Sequence, residues 1–530
     1  MRVRKLLAFM PPVVVALLCA ARPAAAADPP FERCGTPRVL ELMAKGVGKI
    51  TSSRMDQLAN SVVSPSGHFR VHYDSRGYNA PDPTDADFNG IPDYIDSTLA
   101  YLDYAWNLDV GILGYQPPHG DRGAGGGDEI DVYIINFGVG GYGAAYPDQM
   151  SDGSSSAYFF LDNNYVESQY SSKGYDALRV STAHEFFHTI QFTYVVNMDL
   201  IWWMEQSATW MEDRAWDDVN DYLAYLKYFF PSYRDYPLDY PDGNFKYGAV
   251  VWPMYLAERF GDNQIRRIWE AIAVVKTSGI AVFDTVIPGG LSAALNEFGV
   301  WNYFTKDRAN PASFYRDGAM FKYMVGVDLQ EGVHPARDSL PTRYLTSNYI
   351  EFLFVDSWDE NDALSIEYTT APGRVHANSL VFYNSPTDFR IHPIDRPRTS
   401  VALGGRWSRA VLVTTCVNTA PANGIFSFAA YREDVLAVKR ESPAALTFSG
   451  AFPNPFNTAV SIRFTLPDDG RVSVRAYDIL GRKAADLFDG YLAAGEKNVL
   501  WKPENLSGGV YLVHIATPYG SHTAKILLLK

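Results

Sequence analysis

Ser181-Thr182-Ala183-His184-Glu185-Phe186-Phe187-His188-Thr189-Ile190 is the stretch on which the reading of the whole chain turns. It contains H-E-x-x-H, and on a helix residues four apart share a face, so His184 and His188 can present two imidazoles to one Zn²⁺. The flanks predict that helix. Ala177, Leu178, Val180, Ala183, Phe187 and Ile190 recur at roughly helical spacing, Gly174 breaks the chain upstream, and no proline interrupts the run to Val195. Glu185 lies between the histidines and can act from the same helix as general base toward a metal-bound water.

A catalytic zinc needs a third protein ligand and one open position. The next helical segment, 199–216, carries Trp203-Met204-Glu205-Gln206-Ser207-Ala208-Thr209-Trp210-Met211-Glu212-Asp213. Glu205 follows His188 at a distance that lets the first helix end, the chain turn near Asn197, and a second helix return past the metal; it is the expected third ligand. Glu212, two turns later on about the same face, is the runner-up, and Gln206, Ser207 and Thr209 are candidates for hydrogen bonds that orient the ligands. A glutamate joined to H-x-x-x-H gives a zinc site of the gluzincin kind, since the longer motif with a third histidine is absent.

Upstream, Asp85-Ala86-Asp87-Phe88-Asn89-Gly90-Ile91-Pro92-Asp93-Tyr94-Ile95-Asp96 has the spacing of a Ca²⁺ loop. Oxygen ligands come from Asp85, Asp87, Asn89, the Ile91 carbonyl, Asp93 and Asp96, with Gly90 at the sharp turn and aspartate where an EF-hand has glutamate. The alternative is an acidic Asx-turn capping a helix over 97–108. Either role is structural.

With 530 residues the chain exceeds a single core and suggests about three domains. It is 47% hydrophobic and 20% charged, and its net charge of -14 argues against nucleic acid or an anionic membrane as partner. Residues 1–27 read as an export signal, with Met1-Arg2-Val3-Arg4-Lys5 as the basic start, a short apolar core and alanines at the cleavage site. No later run is long enough to span a bilayer. Export permits a disulfide between the two remaining cysteines, Cys34 and Cys416, and equally permits two free thiols.

Residues 28–65 offer an amphipathic segment around Val39-Leu40-Glu41-Leu42-Met43, read either as a leader of the propeptide kind or as a helix packed on the main domain. Phe69-Arg70-Val71-His72-Tyr73 alternates as a strand and opens a catalytic domain over 66–330. Further strands are expected at 130–135 and 157–162; the second should form the cleft edge along which a peptide can add by backbone pairing. Tyr247, at the start of a helix through Glu258, is the candidate donor to a tetrahedral oxyanion, with His72 and Tyr240 behind it.

His184-Glu185-Phe186-Phe187-His188 followed by 203–213, with Asn89-Gly90-Ile91-Pro92-Asp93-Tyr94, Asp131-Val132-Tyr133 and Tyr247-Gly248-Ala249, resembles a little-characterised family of secreted bacterial metallopeptidases over about residues 66–310. The resemblance implies a zinc-dependent endopeptidase. Four places after Glu205, where most gluzincins have an acidic residue orienting a zinc-bound histidine, this chain has Thr209, and Gln206 stands where members have glycine.

Beyond about 331 short runs at 349–354, 364–368, 379–383, 410–414 and 426–430, separated by turn residues, predict a β-sandwich over 331–433. A linker at 434–445 leads to 446–530, where Phe452-Pro453-Asn454-Pro455-Phe456-Asn457, the run 472–482, Trp501 and Gly509-Val510-Tyr511 resemble the C-terminal sorting domain of type IX secretion cargo, an immunoglobulin-like sandwich. That resemblance implies engagement of the type IX machinery and release or attachment at the outer surface. The expected fold is thus an α+β zincin-like domain followed by two all-β sandwiches. The expected function is a secreted zinc endopeptidase acting on protein or peptide substrates, with Zn²⁺ and Ca²⁺ as its ions. The alternative is a surface adhesion or binding protein with a structural or inactive zinc site. A fourth protein ligand closing the metal would favour the alternative.

Overall fold

The computed structural model describes residues 33–45, 58–138, 141–275, 279–330, 336–354, 358, 361–434, 446–503 and 506–529. The export segment 1–27, residues 28–32 and 46–57 of the segment expected at 28–65, and 435–445 of the linker expected at 434–445 lie outside the described residues, while Asp434 ends a strand.

The first unit is built on a mixed sheet of β1 (Asn60–Val63), β2 (Phe69–Tyr73), β3 (Ile130–Ile135), β4 (Gly143–Ser151) and β5 (Ser154–Asp162), in the order β1-β2-β3-β5-β4. β2, β3 and β5 run parallel, while β1 and β4 pair antiparallel with β2 and β5 at the two edges. The sheet therefore begins at Asn60, ahead of the boundary expected at 66. The cleft edge expected at 157–162 is also corrected: β5 lies inside the sheet and β4 is the edge. The cause is Asp152-Gly153, with φ of 49° and 87°, a two-residue turn whose left-handed backbone folds β4 back onto β5.

Four helices matter for the site: α1 (Thr36–Ala44), α2 (Asp93–Trp106), α3 (Gly174–Tyr194) and α4 (Ile201–Ala215). α3 packs against β4 and β5 on one side and against α2 and α4 on the others, and every residue from 180 to 195 is buried. A helix enclosed all round needs no polar stripe, which explains why aromatic and aliphatic residues surround its histidines. α2 starts at Asp93, earlier than the 97 expected, so Asp96 belongs to its first turn. The helix expected from Tyr247 through Glu258 is divided into Phe245–Gly248 and Val251–Phe260.

The second unit holds a five-stranded sheet containing Ser347–Leu353, His376–Ser385 and Arg409–Cys416, and a four-stranded sheet containing Asp362–Thr370 and Asn423–Asp434. All five runs read from the sequence are strands. Pairing is antiparallel except for the short Asp328–Gln330. Ile350, Phe352, Leu380, Phe382 and Leu412 of one sheet share a core with Leu364, Ile366, Phe426 and Phe428 of the other, a sandwich-like arrangement. The alternate residues Tyr349, Val381, Tyr383, Val411 and Val413 join the core of the first unit, against the helix Leu291–Tyr303. That sheet is buried on both faces, and its strands read accordingly as nearly continuous apolar runs. The last unit has sheets of three and four antiparallel strands closing on Phe456, Val474, Trp501, Val513 and Ile526.

Candidate metal centre

α3 and α4 cross with their functional faces together. His184 Nε2 lies 3.3 Å from Glu205 Oε2, and His188 Nε2 lies 3.4 Å from Glu205 Oε1. These separations are long for hydrogen bonds. They match the roughly 3.3 Å between adjacent donors of a tetrahedral zinc, whose bonds to nitrogen and oxygen are about 2.0–2.1 Å. His184 Nε2 and Glu205 Oε2 make no hydrogen bond, although both residues are buried. Two orphaned donors facing one point are what a metal would satisfy, so the residues fit Zn²⁺.

The far nitrogens are fixed. His184 Nδ1 is bonded to Glu212 Oε1 at 2.6 Å, and His188 Nδ1 to Gln191 Oε1 at 2.7 Å. Gln191 in turn donates to the Met204 carbonyl and to Ser207 Oγ. Glu212 thus meets His184 at Nδ1, away from the Nε2 that faces Glu205, and holds the imidazole from two turns along α4, which Thr209 does not do. Of the three residues expected to orient the ligands, Ser207 acts through Gln191, Gln206 donates to the Leu238 carbonyl, and Thr209 Oγ1 has no hydrogen bond. Gln191 escaped the sequence reading, though it stands one helical turn beyond His188 on the same face.

Charge in this cluster follows from its packing. Burial alone would lower the His184 pKa, but the Glu205 and Glu212 carboxylates outweigh it and raise it to about 9. Glu205, buried between two imidazoles, is held well below the usual carboxylate range despite the desolvation. Glu185 is pushed up by burial, an effect that His184 and His188 partly offset. Its side chain lies against Gly143 of β4, where an added Cβ would come within 2.6 Å of Glu185 Cγ, so the edge strand passes directly beside the base.

The sequence left Cys34 as one half of a disulfide or a free thiol; it is free and buried in this centre. Its Sγ lies 3.4 Å from His188 Nε2 and 3.7 Å from Glu185 Oε2, and it belongs to one cluster with His184, His188 and Glu205. Cys416 is free in the second unit, beside Asn418. Tyr247 reaches the same place, its hydroxyl accepting the Cys34 N–H at 3.1 Å. His72 instead binds Asp131 at 2.8 Å and stacks on Tyr133, and Tyr240 packs on Tyr236 and Phe245.

In the loop before α2, carboxylate oxygens of Asp85, Asp87 and Asp93 gather within 4.8 Å of one another. The same carboxylates accept loop N–H groups, Asp85 from Asn89 and Gly90, Asp87 from Asn89, and Asp93 from Ala86. Gly90, at φ 87°, makes the sharp turn. Asn89 does not point its oxygen at this group: Oδ1 accepts the Ile91 N–H, and Nδ2 donates to Asp87 and Asp96. Asp96, in the first turn of α2, is thereby tied to Asn89 and stands outside the three gathered carboxylates.

At the other end of the chain the small sandwich closes on Phe456, Trp501 and Tyr511, the aromatic residues singled out in the sequence. Residues 450–529 match the secretion system C-terminal sorting domain. The sorting domain, that of type IX secretion, makes this a secreted or outer-surface-attached protein that engages the secretion machinery. Among the described residues no helix is long and apolar enough to cross a membrane. No curated protein matches the chain. Two solved structures are similar at 8% identity: a periplasmic inhibitor of g-type lysozyme, PliG, from Aeromonas hydrophila, covering 20% of this chain and 100% of its own with a TM-score of 0.15, and a β-glucuronidase from Faecalibacterium prausnitzii, covering 36% and 37% with a TM-score of 0.12. At these scores neither likeness carries an argument.

Proposed function

We propose that this protein is a secreted zinc-dependent endopeptidase with a zincin-like catalytic unit. The observation that carries the reading is the convergence of His184, His188 and Glu205 at 3.3–3.4 Å, with Glu185 on the same helix and all four side chains buried. Bound there, zinc would acidify a water and polarise the scissile carbonyl. Glu185, on the same helix as the two histidines, would take a proton from the attacking water and return it to the leaving amine. Tyr247 would donate its hydroxyl hydrogen to the oxyanion. The edge of β4 offers backbone groups along which an extended peptide can pair whatever its side chains, which suits a protein substrate. The proposal includes Ca²⁺ in the loop 85–96, where three carboxylates meet at the start of α2.

One observation favours a second reading. With Cys34 the cluster has four protein donors, the closed set of a structural zinc, and that suits an adhesion or binding protein. The test is zinc content together with casein hydrolysis, for the wild type and Glu185→Gln. Since the centre is covered, both are assayed before and after limited proteolysis that removes the N-terminal segment. Zinc in both proteins, with cleavage only by the treated wild type, supports the peptidase. Zinc in both with no cleavage by either supports the binding protein.

A further inference from the structure

We propose that Cys34 is a fourth ligand to this metal and that Arg33, Cys34, Gly35 and Thr36 occupy the substrate cleft, so that the chain is latent until this segment leaves; the inference rests on the peptidase reading. The geometry at the metal comes first. Cys34 Sγ, 3.4 Å from His188 Nε2, stands close to the roughly 3.6 Å expected between a sulfur and a nitrogen on one tetrahedral zinc. It shares that point with His184 Nε2 and Glu205 Oε2, the two buried atoms without hydrogen bonds. The Thr36 N–H is directed at the same sulfur at 3.4 Å, which fixes its place in the cluster.

The backbone gives a second, independent observation. Tyr142 N–H donates to the Arg33 carbonyl at 2.8 Å, and Gly35 N–H donates to the Gly143 carbonyl at 2.8 Å, so the segment adds to the free edge of the sheet, parallel to β4. Thr36 Oγ1 accepts from Ala145 N–H at 2.8 Å and lies 3.4 Å from Glu185 Oε2. Cys34 N–H donates to the Tyr247 hydroxyl. Four consecutive residues therefore engage the metal donors, the base, the oxyanion donor and the peptide-pairing edge, leaving none of them open to a substrate.

Side chains fit the segment to this place. Arg33 is buried against Glu212 and Asp221, with its guanidinium over the rings of Tyr142 and Tyr225. Gly35 admits close contact with the edge strand, since a Cβ there would meet Ala144 Cβ at 2.8 Å. Pro37 lies in the first turn of α1, which carries Val39 onto Tyr133, Ala144 and Tyr146. Departure is compatible with the fold, because the sheet is complete from β1 to β5 without the segment, which adds a single bridge beyond the edge.

The test loads the metal-free full chain with Co²⁺, whose thiolate charge-transfer absorption in the near ultraviolet reports sulfur ligation directly. The band is expected in the wild type and in Cys416→Ser and should vanish in Cys34→Ser. Zinc-loaded Cys34→Ser should cleave casein faster than the intact wild type by about tenfold or more, since the competent form is no longer a minor one. Should that variant fail to fold, a synthetic peptide of residues 33–44 is added to the proteolysed wild type, where it should inhibit, and its serine-for-cysteine version should inhibit at least about tenfold less well. Bound cobalt without the band, or equal inhibition by the two peptides, overturns the inference and leaves the peptidase reading standing. The band with no cleavage by any form sinks the peptidase reading and, with it, latency.

Discussion

His184, His188 and Glu205 come from two buried helices and the imidazoles are held from behind by Glu212 and Gln191, whereas Asp85, Asp87 and Asp93 come from one solvent-facing loop held by its own backbone. The first cluster leaves buried donors without partners; the second satisfies its carboxylates with loop N–H groups. Buried polar atoms without hydrogen bonds are costly in a low-dielectric interior, and a metal held between His184, His188 and Glu205 would satisfy these. Self-satisfied carboxylates in a loop have a use without an ion, because they cap and brace a turn. The two clusters should therefore respond very differently to substitution.

The largest effect is expected at Glu185. In the proteolysed, zinc-loaded enzyme, Glu185→Gln should lower kcat/KM on a peptide substrate by about a thousandfold, the middle of the range for a lost general base, with zinc content unchanged. Loss of zinc along with activity would make Glu185 part of the metal site instead. Next comes Glu212→Gln, which keeps a hydrogen-bonding shape behind His184 but removes the charge. Zinc affinity should fall by about 10- to 100-fold in a chelator competition, as for other groups that orient a metal-bound histidine. An unchanged affinity would put Glu212 in the service of Arg33 alone.

Protons should separate the clusters too. His184 in the metal-free chain has its pKa raised from 6.5 to about 9, so its contribution to stability is full below about 6.5 and is lost as pH rises through 9. Zinc must displace that proton. Its apparent affinity should then drop by about tenfold for each pH unit below 9 on account of this site, and proton release on binding should appear as a buffer-dependent heat in calorimetry. A zinc affinity flat between pH 7 and 9 would contradict the charge assignment.

How much of this was legible in the chain depends on the range of each contact. H-E-x-x-H and its helix are local, and Glu205 followed from the length needed for one return helix; α3, α4 and the five quoted strands of the second unit stand where the sequence placed them. The edge strand was misplaced although its signal, Asp152-Gly153, is a strong two-residue hairpin turn. Glu212 reads as a competing ligand because sequence spacing gives the face of a helix and not the depth, and depth sets it against His184 Nδ1 and Arg33. Cys34 was out of reach altogether. It lies some 150 residues before the histidines, and only the pairing of its neighbours with β4 brings its sulfur to them.

The smallest effect is expected at the loop, and it decides whether the comparison holds. If Ca²⁺ binds Asp85, Asp87 and Asp93, it binds the folded chain only, and calcium at ten times its dissociation constant adds about 1.4 kcal/mol. For a unit of this size that is a rise in Tm of about 2–4 °C. Asp87→Asn suits the test because Asp87 is exposed and binds only Asn89, through its backbone and side-chain N–H groups, and one oxygen survives the substitution. Without calcium the variant should melt within about half a degree of the wild type, as surface substitutions away from special features usually do. With calcium the rise should be seen in the wild type and largely lost in the variant, while zinc content stays the same in both. A wild type indifferent to calcium would leave the loop as a backbone brace for α2. The proposed metal would then belong to the buried cluster of Cys34, His184, His188 and Glu205.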